Sequence, residues 1–117
     1  MLNLGHKQLD CWRMSITFVT KIYMFTNQLP KSETFGLSDQ LRRAAVSIAS
    51  NIAEGASRPT SGERKRFYTI ARSSLVEIDT QLEICHQLYY LPTSKDSEIS
   101  ERLNHLFAAL SKLIEKT

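Results

Sequence analysis

The sequence predicts an all-α protein, specifically an antiparallel up-and-down four-helix bundle. Apolar residues recur at intervals of three and four along most of the 117 residues, and no stretch shows the strict alternation of a β-strand. Short connections containing Gly36, Pro59 and Pro92 separate the apolar segments. Because short connections join antiparallel neighbours, the four segments should pack as one domain that spans residues 1–117.

The first helix is predicted from about His6 to Gln28, because Pro30 cannot continue it. It carries two apolar stripes on nearly opposite sides. One stripe contains Leu9, Trp12, Ile16, Val19 and Tyr23, and the other contains Cys11, Phe18, Ile22 and Phe25. A surface helix of a small monomer needs only one such stripe. We therefore expect the stripe that starts at Cys11 to form the interface of a homo-oligomer.

The second helix is predicted to begin with Ser38 as its N-cap and to end before Gly55 as the C′ residue. One face is apolar and carries Leu41, Ala44, Ala45, Ile48 and Ile52. The remaining surface has the small residues Ser47, Ala49, Ser50 and Ala53. A helix of this composition can be packed closely on more than one side.

The third helix is predicted from Ser61 to Tyr89, and Thr60 with Glu63 forms a capping-box pattern at its start. Its expected core stripe is Phe67, Ile70, Ala71, Ser74, Ile78, Leu82, Cys85 and Tyr89. Thr93 or Ser94 should cap the fourth helix. That helix presents Ile99, Leu103, Leu106, Phe107, Leu110, Leu113 and Ile114 on one face.

The bulk properties are those of a globular protein of the cytoplasm. No apolar run approaches the roughly 20 residues that span a bilayer, so no membrane partner is expected. The first ten residues lack the basic start and apolar segment of a signal peptide. Cys11 and Cys85 both lie on apolar stripes, and we expect them to be core residues without a disulfide.

The net charge of +3 is distributed unevenly. Residues 31–75 carry eight bases and four acids, whereas residues 76–117 carry four bases and seven acids. Such an imbalance is typical of a surface that binds a polyanion, or of one that meets an acidic face of a neighbouring copy. The candidate nucleic-acid-binding residues are Arg42, Arg43, Arg58, Arg64, Lys65 and Arg66.

No catalytic pattern is evident, and we predict that the protein is not an enzyme and has no cofactor or metal. The sequence has no Gly-rich phosphate loop and no nucleophile with a recognisable signature. Glu54 and Glu77 are expected to form a structural ion-pair network with Arg72, linking the second and third helices. A paired-carboxylate metal site is the alternative, but neither Glu54 nor Glu77 is followed by a histidine three residues later, as in the Glu-x-x-His motif of di-iron bundles.

The run from Phe35 to Leu91 resembles a family of small bacterial bundles encoded in intervening sequences of 23S ribosomal RNA genes. The matching segments are FGLSDQLRRAAVSIASNIAEG, then Arg58, FYTIARSSLVEIDTQLEI and LYYL. Trp12 and the segment LPKSETFGL fit the same pattern. One departure is Arg72-Ser73, where the family commonly has Gly before the serine.

The resemblance implies an up-and-down bundle that assembles into pentameric rings. It also extends to accessory proteins of diversity-generating retroelements, which bind nucleic acid and a reverse transcriptase. We therefore predict a non-enzymatic homo-oligomer, a pentamer by resemblance, that binds RNA or DNA through its basic surface. The alternative is an assembly scaffold without nucleic-acid binding, whose basic segment pairs with acidic residues of a neighbouring subunit.

Overall fold

The computed structural model describes residues 1–91 and 93–117, without the side chains of residue 8 and residues 93–97. Four α-helices make up most of this part of the chain and confirm the predicted fold class, and no strand occurs in it. They are α1 (Asp10–Thr26), α2 (Leu37–Ala56), α3 (Ser61–Gln87) and α4 (Thr93–Lys116). Two short 3₁₀ turns, Gly5–Gln8 and Lys31–Glu33, precede α1 and α2.

Each helix packs against two others, so the bundle is square: α1 contacts α2 and α4, and α3 contacts the same two. Side-chain hydrogen bonds show the antiparallel order. Arg42 near the start of α2 bonds to Thr26 at the end of α1, and Arg72 in the first half of α3 bonds to Ser111 in the second half of α4. The molecule measures 44 × 27 × 19 Å along its principal axes.

The core is formed by apolar residues from all four helices. Its fully buried members include Ile22, Leu41, Ile48, Ile52, Ile78, Leu106 and Leu110. Burying each such side chain contributes about 1.5–3 kcal/mol to folding. Among the residues described, no helix is long and apolar enough to cross a membrane.

The N-terminal part of the first predicted helix is a 3₁₀ turn rather than α-helix. Leu9 has extended backbone angles (φ −74°, ψ 126°) and separates this turn from α1. Asp10 then begins the helix, where its negative charge is favourable at the positive end of the helix dipole. The α-helix is therefore shorter at both ends than the predicted span from His6 to Gln28.

The expected oligomer interface on α1 is wrong. Cys11, Phe18, Ile22 and Phe25 are all buried in the core of their own chain. The reason is the square arrangement, in which α2 and α4 together cover one whole side of α1. The other stripe is the one left at the surface, where Ile16 and Tyr23 are each 40% exposed.

Both predicted ends of α2 differ from the structure. Gly36, not Ser38, is the N-cap residue, and the Glu33 carboxylate accepts the Leu37 N–H (3.3 Å). Ser38 is buried inside the first turn. Gly55 is still helical and does not have a positive φ. Its role is therefore not that of the C′ residue.

Gly55 instead permits the close approach of α2 and α3. A β-carbon at this position would lie 2.8 Å from Cε1 of Tyr68 and 3.0 Å from Cβ of Phe67. No unstrained side chain fits at such distances. The small residues of α2 thus bring its backbone near α3, and this helix pair has the most extensive packing in the molecule.

The predicted start of α3 is confirmed. The Thr60 hydroxyl accepts the Glu63 N–H (3.2 Å) and donates to Oε2 of Glu63 (2.9 Å). The helix ends at Gln87, two residues earlier than predicted. Tyr89 has φ 62°, and the N–H of Tyr90 bonds to the carbonyl of Cys85 (2.9 Å). This is a Schellman motif with tyrosine at the position that usually holds glycine.

The core face of α3 is also shifted from the predicted stripe. The buried apolar residues are Tyr68, Ala71, Leu75, Ile78, Leu82 and Cys85, which alternate spacings of three and four. Phe67 is half-buried, and Ile70 and Tyr89 are exposed. The prediction that Phe67, Ile70 and Tyr89 lie in the core is therefore wrong.

The expected stripe of α4 is largely confirmed. Ile99, Leu103, Leu106 and Leu110 are buried, whereas Phe107 lies at the surface. Leu113 and Ile114 are partly buried against the core. The predicted cap at Thr93 or Ser94 lies outside the described side chains.

Candidate nucleic-acid interface

The six predicted basic residues form two separate groups at opposite ends of α2. Arg42 and Arg43 lie in its second turn, and the other four lie around the α2–α3 connection. The helical rise of about 1.5 Å per residue separates Arg42 from Arg58 by about 24 Å. The two groups therefore cannot form one compact site.

The side chain of Arg42 links α2 to the end of α1. Its Nε–H donates to Oγ1 of Thr26 and its Nη2 donates to Oδ1 of Asn27, both at 2.7 Å. The guanidinium also lies 4.6 Å from the ring centroid of Tyr23. Arg43 is mostly exposed and pairs with Asp39 one turn earlier (2.9 Å). These contacts leave Arg42 poorly placed to bind a phosphate.

We call the second group, Arg58, Arg64, Lys65 and Arg66, the basic turn. Nη2 of Arg58 pairs with Oε1 of Glu54 (3.2 Å), and its guanidinium lies 4.9 Å from the Phe67 ring centroid. Nη1 of Arg64 donates to the carbonyl of Arg58 (3.1 Å). These contacts fix the shape of the turn and keep its charges together.

Lys65 and Arg66 are the exposed members of the basic turn. Within the described part of the chain, neither makes a hydrogen bond or an ion pair. Both lie in the first two turns of α3, where the positive end of the helix dipole disfavours cations. An anion at this end of the bundle would relieve that unfavourable placement.

The charges of α3 are placed unfavourably with respect to its helix dipole in both halves of the helix. Bases dominate the first half, and the acids Glu77, Asp79 and Glu83 occupy the second half. The start of α3 also lies beside the end of α4, because the Ser61 hydroxyl donates to the carbonyl of Thr117 (2.7 Å). The last turns of α4, which carry the bases Lys112 and Lys116 and the acid Glu115, therefore lie at the same end of the bundle.

The predicted ion-pair network between α2 and α3 does not form. Glu54 pairs with Arg58 at the end of its own helix. Arg72 instead donates to Oγ of Ser111 (3.2 Å) and links α3 to α4. Glu77 accepts a hydrogen bond from Gln81 one turn later (3.4 Å). The antiparallel helices place Glu54 near the start of α3, too far along the axis from Glu77 for both to share Arg72.

The polar contacts that do link distant elements were not predicted. The Tyr90 hydroxyl donates to Oε2 of Glu33 (3.2 Å), and the Ser74 hydroxyl donates to Oγ of Ser47 (3.2 Å). These pairs are 57 and 27 residues apart in sequence. No local spacing could have revealed them.

An exposed apolar surface was also missed, and we call it the α1–α2 face. It contains the outer stripe of α1 and the neighbouring side of α2, with Trp12, Ile16, Val19, Tyr23 and Val46. Trp12 and Val19 are half-buried, and the other three are exposed. The sequence contained the signal, since two stripes on α1 require two covered sides, but the buried stripe was misassigned as the outer one.

The cysteines have the properties of structural residues. Both are free thiols in the core, and burial raises the pKa of Cys11 and of Cys85 to about 11. Such thiols stay protonated at neutral pH and are poor nucleophiles. Among the described residues, no group of three or more His, Cys, Asp or Glu side chains could hold a metal ion.

Comparison with known proteins agrees with this architecture. A model of the family described as 23S rRNA-intervening sequence protein matches residues 7–112. A crystal structure from Bacteroides thetaiotaomicron VPI-5482, of a protein with unknown function from the S23 ribosomal protein family, has the same fold. The TM-score is 0.82 at 20% identity, over 90% of this chain and 95% of that chain. No curated protein matches the sequence significantly.

Proposed function

The chain belongs to the 23S rRNA-intervening sequence protein family, and on this premise we propose that it is a self-associating bundle that binds nucleic acid through the basic turn. In this proposal the protein is not an enzyme. It contacts RNA or DNA through phosphate groups and does not read the base sequence. The α1–α2 face forms the contact between copies.

One observation carries the nucleic-acid part of the proposal. Lys65 and Arg66 are exposed, have no partner among the described residues, and lie where the dipole of α3 is unfavourable to them. The adjoining end of α4 carries two further bases, Lys112 and Lys116, and one acid, Glu115. A polyanion would stabilise Lys65 and Arg66 together, and phosphates are the principal polyanionic groups that Lys and Arg bind in nucleic acids.

The test is the salt dependence of affinity. We expect the double variant Lys65→Ala/Arg66→Ala to flatten the slope of log affinity against log salt for duplex DNA by about two units, since each phosphate contact contributes about −0.9. Fluorescence anisotropy at several salt concentrations measures the slope. For single-stranded RNA we expect a smaller loss, because each contact contributes about −0.7 on single strands.

A matched control removes two exposed bases from the opposite end of the bundle. Lys31→Ala/Arg43→Ala makes the same change in net charge, and it should leave the slope unaltered. If both double variants flatten the slope equally, binding follows total charge and not the basic turn. An unchanged slope in Lys65→Ala/Arg66→Ala would remove the basic turn from the nucleic-acid interface.

The alternative function is an assembly scaffold, which the acidic second half of α3 favours. Glu77, Asp79 and Glu83 on one copy would pair with the basic turn of the next. The same Lys65→Ala/Arg66→Ala variant distinguishes the two functions. Under the scaffold hypothesis its oligomer mass falls, and the wild-type protein does not bind nucleic acid at low salt.

A further inference from the structure

A second group of cationic side chains lies in a groove between α1 and α4, apart from the basic turn. The groove is open to solvent, has a volume of about 270 Å³, and is lined by Arg13, Met14, Thr17, Arg102 and His105. These two helices are adjacent in space but are the first and last in sequence, so no connection covers the groove.

α1 and α4 each contribute two polar side chains to the groove. Arg13 and Thr17 are one turn apart on α1, and Arg102 and His105 are one turn apart on α4. Met14 supplies the apolar part of the wall. No carboxylate is among the lining residues. Asp10 and Glu98 pair with the two arginines but do not line the groove, so its wall presents hydrogen-bond donors and positive charge.

The guanidinium groups of Arg13 and Arg102 are oriented by carboxylates on their own helices. Nε of Arg102 is 3.6 Å from Oε1 of Glu98, and Nη1 of Arg13 is 3.8 Å from Oδ1 of Asp10. Both distances exceed that of a direct hydrogen bond. Nε of Arg102 is shielded from solvent and has no hydrogen-bond partner among the described residues. Nε of Arg13 donates to the Lys7 carbonyl (3.1 Å), which orients its side chain.

We infer that this groove binds a phosphate group between Arg13 and Arg102, with His105 and Thr17 as additional hydrogen-bond donors. Arginine matches phosphate well, because its planar fork of N–H groups can bond two oxygens at once. The groove is slightly smaller than the roughly 300–1,000 Å³ typical of drug-sized ligands, which fits one phosphate with a small attached group. This inference does not depend on the proposed function, because no residue of the basic turn lines the groove.

The experiment is an NMR titration with inorganic phosphate, replacing sodium chloride at constant ionic strength. Backbone amides and the Nε–H signals of arginine report the position of the ligand. We expect saturable shifts at Arg13, Thr17, Arg102 and His105. Shifts that do not saturate, or that appear at Lys65 and Arg66 instead of the groove, would overturn the assignment.

Two single variants test the residues that carry the site. Arg13→Gln and Arg102→Gln should each weaken phosphate binding by about tenfold, since each removes charge-assisted hydrogen bonds. Lys65→Ala/Arg66→Ala is the control and should bind phosphate like the wild type. That control also separates this site from the basic turn, because either one can fail without the other.

A second ligand, a dinucleoside monophosphate with one phosphodiester, distinguishes a site for free phosphate from a site for a nucleic-acid backbone. If it shifts the same residues as inorganic phosphate, the groove accepts a nucleic-acid backbone. If only inorganic phosphate shifts them, the groove is selective for a free phosphate dianion. If neither ligand shifts them, the groove is not a phosphate site.

Discussion

At Gly55 the missing side chain sets the distance between α2 and α3. Because an added β-carbon would lie 2.8 Å from the Tyr68 ring, we expect Gly55→Ala to lower the free energy of unfolding by about 1–3 kcal/mol. This is opposite to the usual effect, since alanine is favoured over glycine inside helices by about 0.5–1 kcal/mol. Urea denaturation measures the change.

Gly62 provides the matched control for Gly55. It also lies in a helix, but nothing is within 4 Å of where its β-carbon would be. Gly62→Ala should therefore leave stability unchanged or increase it by up to about 1 kcal/mol. Equal effects at the two glycines would contradict the close approach of the helices at Gly55.

The buried thiols make stability depend on alkaline pH. Burial raises the pKa of Cys11 and Cys85 from 9.0 to about 11 in the folded protein. Between these values an unfolded chain loses its thiol protons while the folded chain keeps them, so the free energy of unfolding should fall from about pH 9 to pH 11. Below pH 9 the contribution is fully present.

The measurement is the urea midpoint from pH 7 to pH 11. Cys11→Ala/Cys85→Ala should show a shallower decline than the wild type. Some decline should remain, because burial also raises the pKa of Tyr68. A midpoint that is constant over this range in the wild type would argue against buried, protonated thiols.

The end of α3 is strained at Tyr89. This residue has φ 62°, which costs a non-glycine residue about 1–2 kcal/mol, and its side chain is 95% exposed. Tyr89→Gly should therefore raise the free energy of unfolding by about 1 kcal/mol. Tyr89→Ala removes the same side chain but keeps the strain, so it should give no comparable gain. Thermal unfolding of the three proteins distinguishes these outcomes.

The existence and order of the helices followed from the sequence, but several of their details did not. Periodicity and the Thr60–Glu63 cap are local properties, and both were interpreted correctly. The core face of α3 was assigned to Phe67 instead of Tyr68, because apolar residues occupy more than one side of this helix. Which side is buried depends on where α2 allows close approach, and that is a tertiary property.

The candidate site was also only partly predictable from the sequence. The run of bases from Arg64 to Arg66 is visible in sequence, and the structure keeps it at one end of the bundle with Arg58. The hydrogen bonds from Arg42 to the end of α1 could not be predicted, because its partners are 15 and 16 residues away in the sequence. The groove that joins Arg13 to Arg102 depends entirely on the packing of the first helix against the last.

For the whole molecule, the α1–α2 face is the expected contact between copies. Ile16 is 40% exposed, so Ile16→Asp should reduce the oligomer mass without lowering the helix content. Phe18 is the control, since only 2% of it is exposed. Phe18→Asp would strand a charge in the core and should unfold the chain instead. Light scattering and circular dichroism on both variants measure mass and folding.

Two results would contradict this assignment. A wild-type protein that remains monomeric at tens of micromolar would exclude a specific self-contact through this face. An oligomer of unchanged mass in Ile16→Asp would place the contact elsewhere. In a pentamer, which the family resemblance favours, the α1–α2 face of one copy would contact a different surface of the next copy, because a ring of five uses head-to-tail contacts.

The opposed charges on the two halves of α3 have a consequence for how the molecule meets other charged molecules. The helix is about 40 Å long, and the whole bundle measures 44 Å along its longest axis. At physiological ionic strength the Debye length is only about 8 Å, so the acidic half of α3 does not cancel the field near the basic half. Each half of α3 therefore acts as an independent electrostatic pole. A polyanion approaching this helix is attracted to its basic half and repelled by its acidic half, and the net charge of +3 describes neither.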